Sequence, residues 1–222
     1  MLFRDRVDAG KSLAKLLSGY ADRDDVLVLG LPRGGVIVAH EIAAALHVPL
    51  DVFLVRKLGV PGAEELAMGA IASGGIRVLD SSLIRALQIS REAVEHVTRE
   101  EERELKRREK SYRAGRQPLD VAGKTVILVD DGLATGFTMR AAISAVKRLD
   151  PRSVVVAVPV APHSTLEGLL SDVDEVVCIA TPDPFESVGR FYDRFDQTSD
   201  EEVRGLLPTV PAASIRGEEV IR

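Results

Sequence analysis

Val126-Ile127-Leu128-Val129-Asp130-Asp131-Gly132-Leu133-Ala134-Thr135-Gly136-Phe137-Thr138 is the run from which the rest of the chain can be ordered. Val126 to Val129 have the length and β-branched content of a buried strand. Two carboxylates stand at its carboxyl end, and a glycine- and threonine-rich turn then leads into an apolar helical pattern. Parallel sheets bind ligands at such ends, where unpaired N–H groups and the helix dipole favour an anion. Gly132 and Gly136 let the backbone close on a phosphate, and Thr135 and Thr138 can donate hydroxyls to it. Carboxylates repel phosphate, so Asp130 and Asp131 imply a ligand that also carries hydroxyls, such as a ribose 5-phosphate.

A second corner of the same layout lies upstream. Val26 to Leu29 read as a short strand, followed by Gly30-Leu31-Pro32-Arg33-Gly34-Gly35 and a helix with Val38, Ile42, Ala45 and Leu46 at helical spacing. Arg33 offers a fork of donors, and Gly34 and Gly35 either admit an anion or simply make a tight turn. The spacing does not match Gly-x-Gly-x-x-Gly, which argues against a nicotinamide cofactor. Leu50 to Val55 read as one strand ending in Arg56-Lys57, two cations that suit either a second grip on an anion or a solvated edge.

The apolar run, acidic pair, Gly-x-x-Thr-Gly and following Thr resemble the phosphoribosyl-diphosphate (PRPP) signature of type I phosphoribosyltransferases. The resemblance implies an α/β fold, a Rossmann-like parallel sheet flanked by helices, with a small hood and a helical lid insertion. It implies that Gly132, Leu133, Ala134, Thr135, Gly136 and Thr138 cradle the 5-phosphate. Asp130 and Asp131 would accept from the ribose hydroxyls and favour charge growing on the ring, Asp131 being the more catalytic. Arg33, Gly34, Gly35 and Lys57 would hold pyrophosphate, with Arg56 as helper. The implied partners are PRPP, a small nitrogenous base (purine-like favoured) and a second copy of the chain in a homodimer. Mg²⁺ is expected through the diphosphate and water, with no direct protein ligand.

Composition bounds the rest. With 222 residues, 45% hydrophobic and 28% charged, the chain suits one α/β domain over about 1–207. A net charge of −5 supplies no global basic field for nucleic acid or an anionic membrane. The single cysteine, Cys178, reads as a core residue of a strand and fits a reducing, cytoplasmic setting. The N-terminal residues show no long apolar stretch, so no secretory signal is expected, and no run approaches membrane-spanning length.

Residues 5–19 read as an amphipathic helix, and Ala67 to Ile71 and Ile76 to Leu79 as hairpin strands. From Ser90 the composition turns almost wholly charged, as in a long solvated helix; by position, residues 85–116 would form the lid, and Tyr112, Arg113 and Arg116 could reach the site. Val154 to Val158 and Glu175 to Ile179 complete the parallel strands, with His163 opening a short helix. Residues 182–198 hold Phe185, Phe191, Tyr192 and Phe195, four of nine aromatics, suited to a hood that stacks on a base or to ordinary packing. Ser199 to Leu207 read as a capped helix, and 208–222 as a tail. Two other functions remain open on this reading: a PRPP sensor on the same fold, and, more remotely, a receiver-type acidic pocket.

Overall fold

The structure, a computed structural model, describes residues 2–113, 116 and 118–207. Its centre is a five-stranded, all-parallel sheet made of β1 (Val26–Gly30), β2 (Leu50–Val52), β6 (Thr125–Val129), β7 (Ser153–Val160) and β8 (Glu175–Ala180), in the order β2-β1-β6-β7-β8. Side chains alternate across a strand, so each sends its apolar residues both ways. Val28, Ile127, Val129 and Val155 pack beneath helices α1 (Arg6–Leu16) and α2 (Gly34–Leu46). Leu29, Val126, Leu128 and Val156 pack on the other face beneath α5 (Phe137–Val146). The fully apolar strands seen in the sequence follow from this double cover. In α2 the buried stripe uses Ala43, while Ala45 is exposed.

The chain leaves β1 toward β2 on one side and β6 toward β7 on the other. That makes the β1–β6 seam the topological switch point, where a crevice opens at the carboxyl ends. Both corners singled out in the sequence lie on that seam.

The apolar run from Leu50 is not one strand. It leaves the parallel sheet after Val52 and re-pairs as β3 (Val55–Val60) in a separate antiparallel sheet with β4 (Ala63–Ala72) and β5 (Ile76–Leu79), in the order β3-β4-β5. The break is held by Leu54, whose carbonyl accepts from Ser73 N–H at 2.9 Å and whose N–H donates to Ser73 Oγ at 3.2 Å. Apolar continuity cannot tell two short strands from one, and Arg56-Lys57 consequently lie inside β3 rather than at a strand's carboxyl end.

A short helix, α3 (Ser81–Ala86), leads to the 23-residue α4 (Arg91–Arg113), where Ser90 Oγ accepts from Ala93 N–H at 3.1 Å. A thin stripe of Val94, Leu105 and Tyr112 pins α4 into the core, against β3 and α7 (Asp200–Leu206). Its remaining surface is charged, as the composition leads one to expect. Short α6 (His163–Glu167) follows β7. A capping box closes α7: Ser199 Oγ accepts from Glu202 N–H, and the Glu202 carboxylate accepts from Ser199 N–H. The stretch 208–222, read as a tail, lies outside the described residues.

Candidate active site

The β6–α5 corner forms a cleft of ≈ 250 Å³ lined by Asp130, the run 132–139 and Val188. Helix α5 has ten residues and no side-chain cap, so its first N–H groups face the cleft without an intrahelical partner. Gly136 sits before the helix with φ +71°, a left-handed conformation that side chains rarely adopt. Leu133 anchors the turn: it is buried, and its N–H donates to the Val160 carbonyl at 2.9 Å. Thr165 Oγ1 donates to the Ala134 carbonyl at 2.7 Å. Thr135 and Thr138 are exposed along the same rim. The loop is thus fastened from behind, and the fastening takes the Leu133 amide out of the expected phosphate contacts while the Thr135 and Thr138 hydroxyls stay on the exposed rim.

The β1–α2 corner is pressed against the first. A Cβ built on Gly34 would stand 1.9 Å from Asp131 Oδ2, and one on Gly35 would stand 2.8 Å from Asp130 Cα. These two glycines are therefore required by contact with the acidic pair, beyond any need of the turn. The Pro32–Arg33 peptide is cis. Arg33 Nη1 lies 3.9 Å from Asp200 Oδ1, and Tyr112 donates its hydroxyl to that same carboxylate. Helix α4 thereby reaches the corner through Asp200. Arg113 and Arg116 instead pair with Asp51 on β2, at 3.0 and 3.1 Å.

Asp130 and Asp131 stand at the end of β6. Asp131 N–H donates to Asp130 Oδ1 at 2.8 Å. Burial among protein atoms, then the neighbouring Asp131 charge, push the Asp130 carboxyl well above the usual carboxylate range. Asp131 Oδ2 accepts from Arg6 Nε at 2.7 Å, in a pair whose side chains are 11% and 15% exposed. Arg6 came from no motif. On the first turn of an amphipathic helix a charged residue reads as solvated, and only folding brings it across to a residue 125 positions away.

The hood also differs in its use of aromatics. Residues 2–4 join it: Phe3 bridges Tyr192 in parallel, and Leu2 and Phe3 N–H both donate to the Phe191 carbonyl. Tyr192 is 2% exposed, its ring lying between Phe3 and Phe195 with centroids 5.4 and 4.9 Å away. It has no face left to stack on a base, and this corrects the stacking expectation for it. Its hydroxyl instead donates to the Asp131 carbonyl at 2.6 Å, and burial raises its pKa far enough that it keeps that proton. Phe185 and Phe191 pack on one another at 5.2 Å. Val188, which no motif singled out, is the hood residue that lines the cleft.

Arg56 donates from Nε to Glu101 Oε2 on α4 at 2.6 Å. Lys57 lines a groove between the hairpin and α4 together with Glu64, His96, Glu100 and Glu101. Neither lines the β6–α5 cleft. Burial raises the Cys178 thiol, which sits half-buried with its Sγ directed at the Ala180 carbonyl. His163 is exposed and pairs with Glu167 on its own helix. Among the described residues no three His, Cys, Asp or Glu side chains converge to cage a metal, and no helix is long and apolar enough to cross a membrane.

Comparison with known proteins identifies the family. Rv0571c of Mycobacterium tuberculosis, whose name assigns it provisionally to the phosphoribosyl transferases, is 46% identical over 206 residues; these are 93% of this chain and 46% of that protein. The chain thus spans about half the length of that relative. The bifunctional protein PyrR of Chloroflexus aurantiacus is 36% identical over 135 residues, 57% of this chain and 65% of its own. The crystal structure of TT1426 from Thermus thermophilus superposes with a TM-score of 0.85 at 43% identity, covering 93% of this chain and 98% of that one. The model of the phosphoribosyl transferase domain matches residues 4–194, and the chain belongs to that family.

Proposed function

We propose that this chain transfers the 5-phosphoribosyl group of PRPP to a nitrogenous base and releases pyrophosphate. The observation that carries the reading is the junction of two corners at one switch point. An uncapped helix N-terminus with open threonines lies beside an acidic pair, and a second glycine corner is packed against that pair.

In this reaction the bond from the ribose anomeric carbon to the diphosphate oxygen breaks and its electron pair leaves with pyrophosphate. A ring nitrogen of the base forms the new bond, a proton it carries is released to solvent, and positive charge develops on the sugar in between. The amides of the 132–136 turn, other than that of Leu133, which is committed to the Val160 carbonyl, and the hydroxyls of Thr135 and Thr138 hold the 5-phosphate. Asp130 and Asp131 accept from the ribose hydroxyls and favour the developing charge. Gly34 and Gly35 bring the second helix N-terminus close enough to receive pyrophosphate, with Arg33 beside it. Arg56 is committed to Glu101 and takes a lesser part. With no side-chain cage for a metal among the described residues, Mg²⁺ would be carried by the diphosphate of PRPP and would supply countercharge to the leaving group.

Mixing the protein with Mg²⁺, PRPP and a panel of purine and pyrimidine bases should release pyrophosphate with at least one of them. A chain that takes up PRPP in calorimetry yet turns over no base would be a sensor. A chain that takes up none would defeat the reading altogether.

A further inference from the structure

We infer that Arg6 is a positioning residue for the acidic pair: its guanidinium fixes the Asp131 carboxylate and places a cation beside two adjacent acids at the ribose site. The inference rests on the proposed PRPP reading and assigns a role to a residue outside the motif.

Arg6 is held by three contacts and lies close against Gly34. Its Nε donates to Asp131 Oδ2 at 2.7 Å, and its Nη1 donates to the Asp196 carbonyl at 2.8 Å. Its guanidinium lies 3.9 Å from the centroid of the Phe195 ring. A Cβ on Gly34 would stand 2.6 Å from its Nε. A side chain so fixed is a poor candidate for an incidental surface pair. The ion pair is also largely withdrawn from water, where loss of one partner leaves a costly charge behind.

The electrostatic need is evident from what faces the pair. From α1 comes Arg6, and from the hood the neutral Tyr192 hydroxyl. From α2 come Gly34 and Gly35, while Glu202 of α7 lies within reach of the Arg6 field. Burial and the Asp131 charge favour a proton on Asp130; the Asp131 N–H opposes it first, and the Arg6 cation adds to that opposition. Without the guanidinium the pair would hold a proton at higher pH. A protonated acid is a weaker acceptor for ribose hydroxyls and does nothing for positive charge on the ring.

The test measures PRPP affinity, with Mg²⁺ present, from pH 5 to 9 in the intact wild-type, Arg6→Gln and Arg6→Lys chains. This readout needs no knowledge of the base. Arg6→Gln should move the acid-side loss of affinity upward by about one pH unit, a tenfold change at a pH within the window. Arg6→Lys keeps a cation and should restore most of the wild-type profile. Where a base supports turnover, Arg6→Gln should also lower kcat by about tenfold or more, since a misplaced carboxylate acts poorly on the transition state. Should Arg6→Gln fail to fold, Phe195→Leu removes the ring under the guanidinium and should shift the profile the same way by less. Superimposed profiles for all the variants would overturn the inference while leaving PRPP binding intact. Absence of PRPP uptake by the wild type at every pH would remove the functional reading and this inference together.

Discussion

The two strand–loop–helix corners on the β1–β6 seam look alike in sequence and use glycine for different ends. After β6, Gly136 supplies a left-handed turn, φ +71°, that exposes amides to a cleft. After β1, Gly34 and Gly35 have no positive φ; they are bare because the Asp130–Asp131 pair occupies the space a Cβ would need. One corner shapes a cradle, and the other clears room for its neighbour's acids. Glycine richness near a helix start is therefore not one signal. Its meaning depends on what stands opposite, which is a tertiary fact.

The comparison can be broken at its shared point. Asp131→Asn should keep the far-UV circular dichroism of the wild type and lower turnover roughly a hundred- to a thousandfold, because an amide cannot oppose ring charge. Near-normal turnover would detach the acids from the chemistry. Gly34→Ala should cost more than any turn glycine, since its Cβ would lie 1.9 Å from Asp131 Oδ2; the acid pair must shift, and both activity and PRPP affinity should fall. An active, normally stable Gly34→Ala chain would mean that the corners are not truly in contact.

Gly136→Val tests the cradle alone. The substitution combines φ +71° with a Cβ 2.8 Å from Thr165 Cγ2, so PRPP should no longer raise the melting temperature. A ligand-induced shift equal to that of the wild type would place the phosphate elsewhere.

Asp130 carries the pH dependence. Its folded-state pKa is raised by burial and by Asp131, so above the unfolded carboxylate range the native state binds a proton that the unfolded chain has lost. Its contribution to stability is present below the unfolded carboxylate range and disappears as pH rises through the higher folded value. Asp130→Asn should accordingly be more stable than the wild type near neutral pH, with the advantage vanishing in acid. Thermal melts at a series of pH values decide this, and parallel curves would show that Asp130 is not the strained group. The smallest effect is expected from Tyr192→Phe, which removes one buried donor to the Asp131 carbonyl and should cost about 1 kcal/mol in denaturant unfolding. An unchanged midpoint would mean the hood does not brace the acidic pair.

Much of this arrangement was legible in the residues. The apolar runs at 126–129 and 154–158 read as doubly covered strands, and Ser90 and Ser199 read as helix starts, since these are local patterns that packing did not override. Leu50 to Lys57 misled because an apolar run has the same composition whether it stays in one sheet or changes to another. Tyr192 misled because an aromatic in an irregular segment gives no hint of which neighbours will cover its faces.

The order of chemical types along the chain, read without coordinates, was enough for a parallel α/β sheet and a glycine- and threonine-rich turn flanked by two acids. Those features follow from periodicity and backbone conformation, which act over a few residues. The partnership of Arg6 with Asp131, the crowding at Gly34 and the burial of Tyr192 arise from segments more than 60 positions apart. No local rule brings such segments together; the strand order does, by closing both corners and the hood around one crevice.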